Sequence, residues 1–380
     1  MVTKTIQEYF GLREELGRGG FGIVYATESP YRVAKLMKIK LLGCEGRSID
    51  SECTYVGQTG RFSQFEVSRR IGDETFAEIV DFFPSELVRL QMITQEIGIL
   101  QDAKKYSVMD GGRLVGYCSH TLFVDDEGWL SVLVGMDRVQ GDPLSHLRVP
   151  YGKSQKVEFC SELADAVDAF HSLGFMHLDI KPGNIMLGAE GIVLIDYTAA
   201  LSLESRVIRN IDQLRLGEAN CLPDDGTFRG TVEYVAPEQA RGCPTLKSDY
   251  YALGLVTLEL LDRYPFARLE SRDGLEVEKF IRANVLETSN VERIVQALAW
   301  SPFMQMLPKE SRNLFAYSIR EVLHCEPEKR KTDNLLRFCK EYNILSNRLS
   351  ITKNRAELPT IDVPNVSAVD LPERVDAGLN

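Results

Sequence analysis

Residues 177–187 read His-Leu-Asp-Ile-Lys-Pro-Gly-Asn-Ile-Met-Leu. That order gathers a carboxylate (Asp179), an ammonium (Lys181) and an amide (Asn184) around one proline-stiffened turn. Twelve residues past Asn184, the apolar run Gly191-Ile-Val-Leu-Ile delivers a second carboxylate, Asp196. Carboxylate and amide oxygens are the hard donors that magnesium takes, with its shell completed by waters and substrate phosphates. A lone aspartate after a strand is ordinarily a turn residue. This one follows His177–Asn184 at hairpin distance, which points to a shared site.

A second cluster stands near the start, Gly17-Arg18-Gly19-Gly20-Phe21-Gly22-Ile23-Val24-Tyr25. Glycines at 17, 19 and 22 let a backbone approach a polyphosphate with its N–H groups aimed at the ligand. A plain Gly-rich turn fits the same residues. A dinucleotide-binding loop requires a helix after the last glycine, whereas a strand pattern follows here. Lys35, thirteen residues after Gly22, lies in the apolar stretch Val33-Ala34-Lys35. Buried, it needs an anionic partner; on an edge strand it simply faces water.

The elements that must hold these groups follow from periodicity. Residues 13–37 form a hairpin around the turn Glu28-Ser29-Pro30, and residues 87–104 carry apolar side chains at helical spacing (Leu87, Leu90, Ile93, Ile97, Leu100). Residues 114–124 and 129–136 read as strands, and after Pro143 the pattern turns mainly helical. A strand-rich first part therefore precedes a helix-rich second part, an α+β chain. Residues 351–380, with three prolines and no sustained period, read as a tail.

Composition bounds the function. Over 380 residues, 44% hydrophobic and 26% charged residues match a folded globular chain, long enough for two or three domain-sized units. The net charge of −11 disfavours nucleic-acid binding, which needs a basic face. Eight cysteines without a CxxC pair suggest neither zinc nor a disulfide framework, and favour a reducing compartment. The N-terminus lacks a signal-peptide core and no apolar run is long enough to span a bilayer. A cytoplasmic location is the expectation.

Taken together, the motifs resemble the eukaryotic-type (Hanks-type) serine/threonine protein kinase family over about residues 10–340. The resemblance implies a bilobal fold, with a small β-rich N-lobe carrying one regulatory helix (1–139) and a larger helical C-lobe (140–345), followed by a flexible tail (346–380). It implies ATP and Mg2+ as cofactors and protein Ser/Thr hydroxyls as acceptors. Gly17, Gly19 and Gly22 then cover the ATP phosphates, Lys35 binds the α- and β-phosphates, and Glu96 pairs with that lysine. Asp179 matches the catalytic base, Lys181 the phosphate-neutralising lysine, and Asn184 and Asp196 the metal ligands. Met136 gates the adenine pocket, the Asp137–Val139 hinge bonds adenine through its backbone, and Val24, Val33 and Met186 sandwich the ring, though each serves equally as core. The activation segment runs from Asp196 to Glu238, with Thr231 contacting the catalytic aspartate. Asp249 holds the catalytic loop, and Arg330 pairs with Glu238.

Three departures qualify the resemblance. Leu178 stands where an arginine usually precedes the catalytic aspartate, removing the guanidinium that reads activation-loop phosphate; activity independent of that phosphorylation is expected. Asp196-Tyr197-Thr198 replaces Asp-Phe-Gly, and Thr198 restricts how the segment flips. Lys35 and Glu96 stand 61 residues apart, and the intervening aromatic-rich insert, about 41–86, reads as an ordered element that docks on the regulatory helix or binds a partner. An earlier residue such as Glu66 is the other candidate for Lys35. Ser202, Ser205, Thr227 and Thr231 are possible phosphoacceptors. Two other readings stand beside the kinase: a pseudokinase scaffold acting through the insert, and a small-molecule phosphotransferase.

Overall fold

The protein is described by a computed structural model covering residues 10–19, 21–40, 51–59, 62–71, 74–82, 84–107, 113–124, 129–146, 151–188, 191–203, 229–262, 264–266, 274–286 and 289–356. Its first part is an antiparallel sheet of β1 (Leu12–Gly19), β2 (Gly22–Thr27), β3 (Arg32–Lys40), β7 (Tyr117–Val124) and β8 (Trp129–Asp137), in the order β1-β2-β3-β8-β7. The expected hairpin thus gains a strand. Only Leu12 of β1 is buried, so β1 carries no apolar alternation to reveal it. Lys35 pairs in register with Val24 on one side and Val134 on the other. It therefore sits on a central strand, and the edge-strand reading is corrected.

The insert forms a separate antiparallel sheet of β4 (Ser51–Thr59), β5 (Phe62–Ile71) and β6 (Glu74–Phe82). Helix α1 (Pro84–Ser107) begins before the boundary expected at 86, because proline is well accepted in a first helical turn. Met92, Ile93, Ile99, Leu100 and Ala103 of α1 are buried, and so is Glu96. Residues 92, 96, 99/100 and 103 share one helical face, so the fold buries a carboxylate within an apolar stripe.

The second part contains β9 (Gly141–Pro143), α2 (Lys153–Ser172), β10 (Phe175–Met176), β11 (Ile185–Gly188), β12 (Gly191–Leu194), β13 (Leu201–Ser202), α3 (Pro237–Ala240), α4 (Leu246–Leu261), α5 (Gly274–Phe280), α6 (Asn290–Leu298), α7 (Pro302–Met306), α8 (Lys309–Val322) and α9 (Asp333–Ala356). Helix α4 is buried around most of its circumference, as befits a helix at the centre of a lobe. Thr245 starts it by accepting from the Lys247 N–H, while Ser248 Oγ accepts from the Thr245 N–H, a reciprocal capping box. One apolar cluster runs from Met37 and Ile39 through Ile99, Leu100, Leu114 and Val115 into α2, α4, α8 and α9, so the β-rich and helical parts share a core. The arrangement is the expected two-lobed α+β fold.

Helix α9 reaches Ala356, which corrects the tail boundary at 346; the apolar face of its first half, Leu335, Phe338 and Cys339, is fully buried and anchors it. Ser205 and Thr227 lie outside the described residues, as does Gly20. Among the described residues no helix is long and apolar enough to cross a membrane.

Candidate active site

Four side chains meet between the lobes. Lys35 Nζ lies 2.8 Å from Glu96 Oε1, 2.6 Å from Asp196 Oδ1 and 2.5 Å from Thr198 Oγ1. Thr198 Oγ1 is in turn 2.8 Å from Glu96 Oε2 and 2.7 Å from Asp196 Oδ1. The structure thus brings Glu96 to Lys35, bridged across the insert by packing of α1 on β3. A hydroxyl has one proton, so Thr198 accepts from the ammonium and donates to one carboxylate at a time. Burial disfavours the charge on Lys35, but Asp196 and Glu96 outweigh it and hold the ammonium above its ordinary range. Burial raises the Glu96 carboxyl against the pull of Lys35. On Asp196 burial is overcome by Lys35 and by hydrogen bonds from Lys35 and Thr198, and the group stays well below the usual carboxylate range. Two carboxylates thus share one ammonium, and of the two only Asp196 is partly exposed.

Asp196 is held at φ 63°, a left-handed backbone that side-chain-bearing residues rarely adopt. Its neighbour Tyr197 is the anchor. The ring packs 5.0 Å from Phe170 and 5.8 Å from His177, centroid to centroid, and its buried hydroxyl accepts from the Val115 N–H and donates to the Leu194 carbonyl. Tyrosine thus fits this site because its polar tip is fully partnered.

The catalytic-loop constellation closes around Asp179. Its Oδ1 accepts from Thr231 Oγ1 at 2.6 Å, and its Oδ2 accepts from Lys181 Nζ and Asn184 Nδ2, each at 2.8 Å. Lys181 also donates to Thr231 Oγ1 at 2.7 Å. With its amide nitrogen committed to Asp179, Asn184 has its carbonyl oxygen as the remaining ligand atom. His177 joins the segments that carry Asn184 and Asp196: Nδ1 accepts from the Asp179 N–H, and Nε2 donates to the Ile195 carbonyl.

Asp249, in the first turn of α4 and 1% exposed, accepts from the His177 and Leu178 N–H groups and from His171 Nε2, all at 2.8 Å. It thereby fixes the loop backbone where Leu178 is strained at φ 63°. The Leu178 side chain fills a small apolar cluster with Met176 and Leu201. Arg330, fully buried, forks onto Glu238 at 2.6 and 2.8 Å and also donates to the carbonyls of Lys247 and His324. Ser248 completes the Glu238 shell at 2.5 Å.

The residues expected to face a nucleotide lie along the sheet and on β11. A Cβ at Gly22 would lie 2.7 Å from the Leu36 carbonyl oxygen, so close strand packing requires that glycine; at Gly17 and Gly19 an added Cβ meets nothing within 4 Å, and the space is open to a ligand. Val24, Met136, Val139 and Met186 are half-buried, and Val33, buried, pairs with Met136 in register. In the segment expected to bond adenine, the Asp137 and Arg138 N–H groups donate to the carbonyls of Gly116 and Tyr31. The Asp137 carboxylate instead bonds Lys104 at 2.8 Å and Cys118 at 3.3 Å.

Beside Lys181 and Thr231 opens a groove of about 450 Å³, lined also by Ser145, Tyr151, Tyr234 and Glu259. Ser202 is half-buried in β13, and Thr231 is engaged by Asp179 and Lys181. Sequence reasoning did not single out Thr198 as a partner of Glu96, nor His171 and Gln239. Each acts across the fold, where spacing gives no signal.

Residues 87–343 match the family model described as the protein kinase domain. The match begins beyond the insert, so Gly17–Gly22 and Lys35 join the matched region through the β3–β8 ladder and the Lys35–Glu96 pair. The chain is 26% identical over 262 residues to the probable serine/threonine-protein kinase PknB of Lactococcus lactis, covering 68% of this chain and 32% of that protein. It is 29% identical over 187 residues to the probable serine/threonine-protein kinase PknB of Corynebacterium glutamicum, covering 48% and 26%. It is 37% identical over 105 residues to the serine/threonine-protein kinase PknD of Chlamydia felis, covering 26% and 11%. The chain thus spans a third or less of the length of these relatives.

Proposed function

The chain belongs to the protein kinase family, and from that footing we propose that it transfers the γ-phosphoryl group of ATP to serine or threonine hydroxyls of proteins. The observation that carries this reading is the closed set Asp179–Lys181–Asn184–Thr231 opposite Lys35–Glu96–Asp196. It assembles a base, two phosphate-neutralising ammonium groups and two oxygen ligands. The donor chemistry fits magnesium: Asp196, its side chain 38% exposed, and the carbonyl oxygen of Asn184 are hard oxygens of the preferred kind. When bound, the metal neutralises charge on the β- and γ-phosphates.

The protein's own residues do the rest by positioning. Lys35, oriented by Glu96, binds the α- and β-phosphates, and open space at Gly17 and Gly19 admits the phosphate chain. Asp179 orients the acceptor hydroxyl and takes its proton. Lys181 offsets charge on the transferring group while fixing Asp179 and Thr231 in one geometry. The groove beside Thr231 receives the acceptor peptide. With Leu178 in an apolar cluster, turnover does not depend on activation-segment phosphorylation. The insert sheet is a candidate partner surface.

The test is incubation of the full chain with magnesium, labelled ATP and a generic protein acceptor, beside Asp179→Asn and Lys35→Met. Transfer by the wild type, with loss on the order of a hundredfold or more in both variants, supports the reading. Magnesium-nucleotide binding without transfer by the wild type would make the protein a scaffold.

A further inference from the structure

Where an arginine would read a phosphate, Leu178 is buried, yet the activation segment lies tightly against the catalytic loop. The contact is made by Gln239, 6% exposed. Its Nε2 donates to the Leu178 carbonyl at 2.7 Å and to the Arg229 carbonyl at 2.9 Å. Both amide protons are thereby committed to two chain segments that are 51 residues apart. Between these anchors Gly230, at φ 104°, crosses so closely that a Cβ there would collide with the Leu178 carbonyl and lie 2.8 Å from Gln239 Nε2. The next residue, Thr231, then reaches Asp179. The backbone of 229–230 is thus pinned at Leu178 by a neutral donor, and Thr231 is held further on by Asp179 and Lys181.

We propose that Gln239 is a positioning residue that docks the activation segment on the catalytic loop, replacing the phosphate–arginine contact that Leu178 removes. The inference rests on the kinase reading for its catalytic consequence, but the docking itself does not. A carboxamide suits the task because it presents two donors in one plane to two carbonyl oxygens, each of which carries a desolvation penalty if left unpaired. It bears no charge, so the contact forms without any modification.

The experiment compares phosphatase-treated wild type with Gln239→Met and the near-isosteric Gln239→Glu. Backbone hydrogen exchange is followed at Tyr234 and Val235, whose N–H groups close onto Thr231 and Val232, with α8 as internal reference. Exchange at those amides is expected to speed up on the order of tenfold in both variants while α8 stays unchanged, the fold-change of one lost buried hydrogen bond. Unchanged exchange, or acceleration spread evenly over α8 as well, overturns the inference. In parallel, kcat with a peptide acceptor is expected to fall on the order of tenfold, with magnesium-nucleotide affinity within twofold. A wild type that docks and exchanges as described yet transfers no phosphate contradicts the kinase reading and leaves the docking role standing. A wild type whose segment loosens on phosphatase treatment overturns the docking role itself.

Discussion

Thr198 Oγ1 lies 2.8 Å from Glu96 Oε2, across 102 residues of chain. One hydroxyl therefore ties the segment carrying Asp196 to the helix whose glutamate holds Lys35. A glycine at 198 could make none of these contacts. The cluster couples α1 to Asp196 through a neutral bridge.

Replacing Thr198 by valine keeps the shape and deletes the bridge. We expect kcat to fall about tenfold to a hundredfold, matching the loss of a hydrogen bond to a charged group of about 1.5 to 3 kcal/mol. Thr198→Ser should restore most of it. Steady-state kinetics on the three proteins decide the matter, and equal turnover in the valine variant would contradict the role.

Arg330 is fully enclosed, and its fork onto Glu238 has no solvent to replace it. Arg330→Met strands a buried carboxylate, and we expect a stability loss of about 3 to 5 kcal/mol. Chemical denaturation gives the value directly. The double variant with Glu238→Gln should recover part of the loss, because the stranded charge is then gone.

Restoring the arginine at 178 should not restore phosphate control. The side chain there packs on Met176 and Leu201, so Leu178→Arg puts a guanidinium into an apolar cluster. A drop in melting temperature of several degrees is expected, with no gain in activity after treatment with an activating kinase. A stimulated variant would show that the pocket can open.

Glu162 on α2 accepts from the Ile192 N–H at 3.0 Å. Burial pushes its carboxyl up, against that hydrogen bond. The folded state thus favours the protonated form, so its stabilising contribution is complete below the unfolded pKa of about 4.3 and is lost as pH rises through the folded value. Glu162→Gln should therefore be at least as stable as wild type at pH 7, and the advantage should vanish near pH 4. Urea midpoints at both values measure it, and an advantage that grows on acidification would reverse the sign.

The sequence by itself determined which polar groups are candidates for the chemistry and in what order they occur. The turn at Lys181–Asn184 is local, stiffened by proline, so Asp179 and Asn184 meet through chain geometry that spacing encodes. The same holds for the strand that delivers Asp196, and for the apolar faces of α2 and α4. Tertiary structure alone decided which glutamate meets Lys35, because a sheet of three strands intervenes and helical periodicity says only that 92, 96, 100 and 103 share a face. It alone put Lys35 on a central strand, since β8, which flanks β3 on its other side, follows it only after the insert and α1. It also gave Thr198, an apparent loss, charged partners, and it gave Gln239, which no spacing marks, two carbonyls. Periodicity reports that a side chain is buried. What it is buried against depends on contacts tens of residues apart, and only packing of the assembled core specifies those.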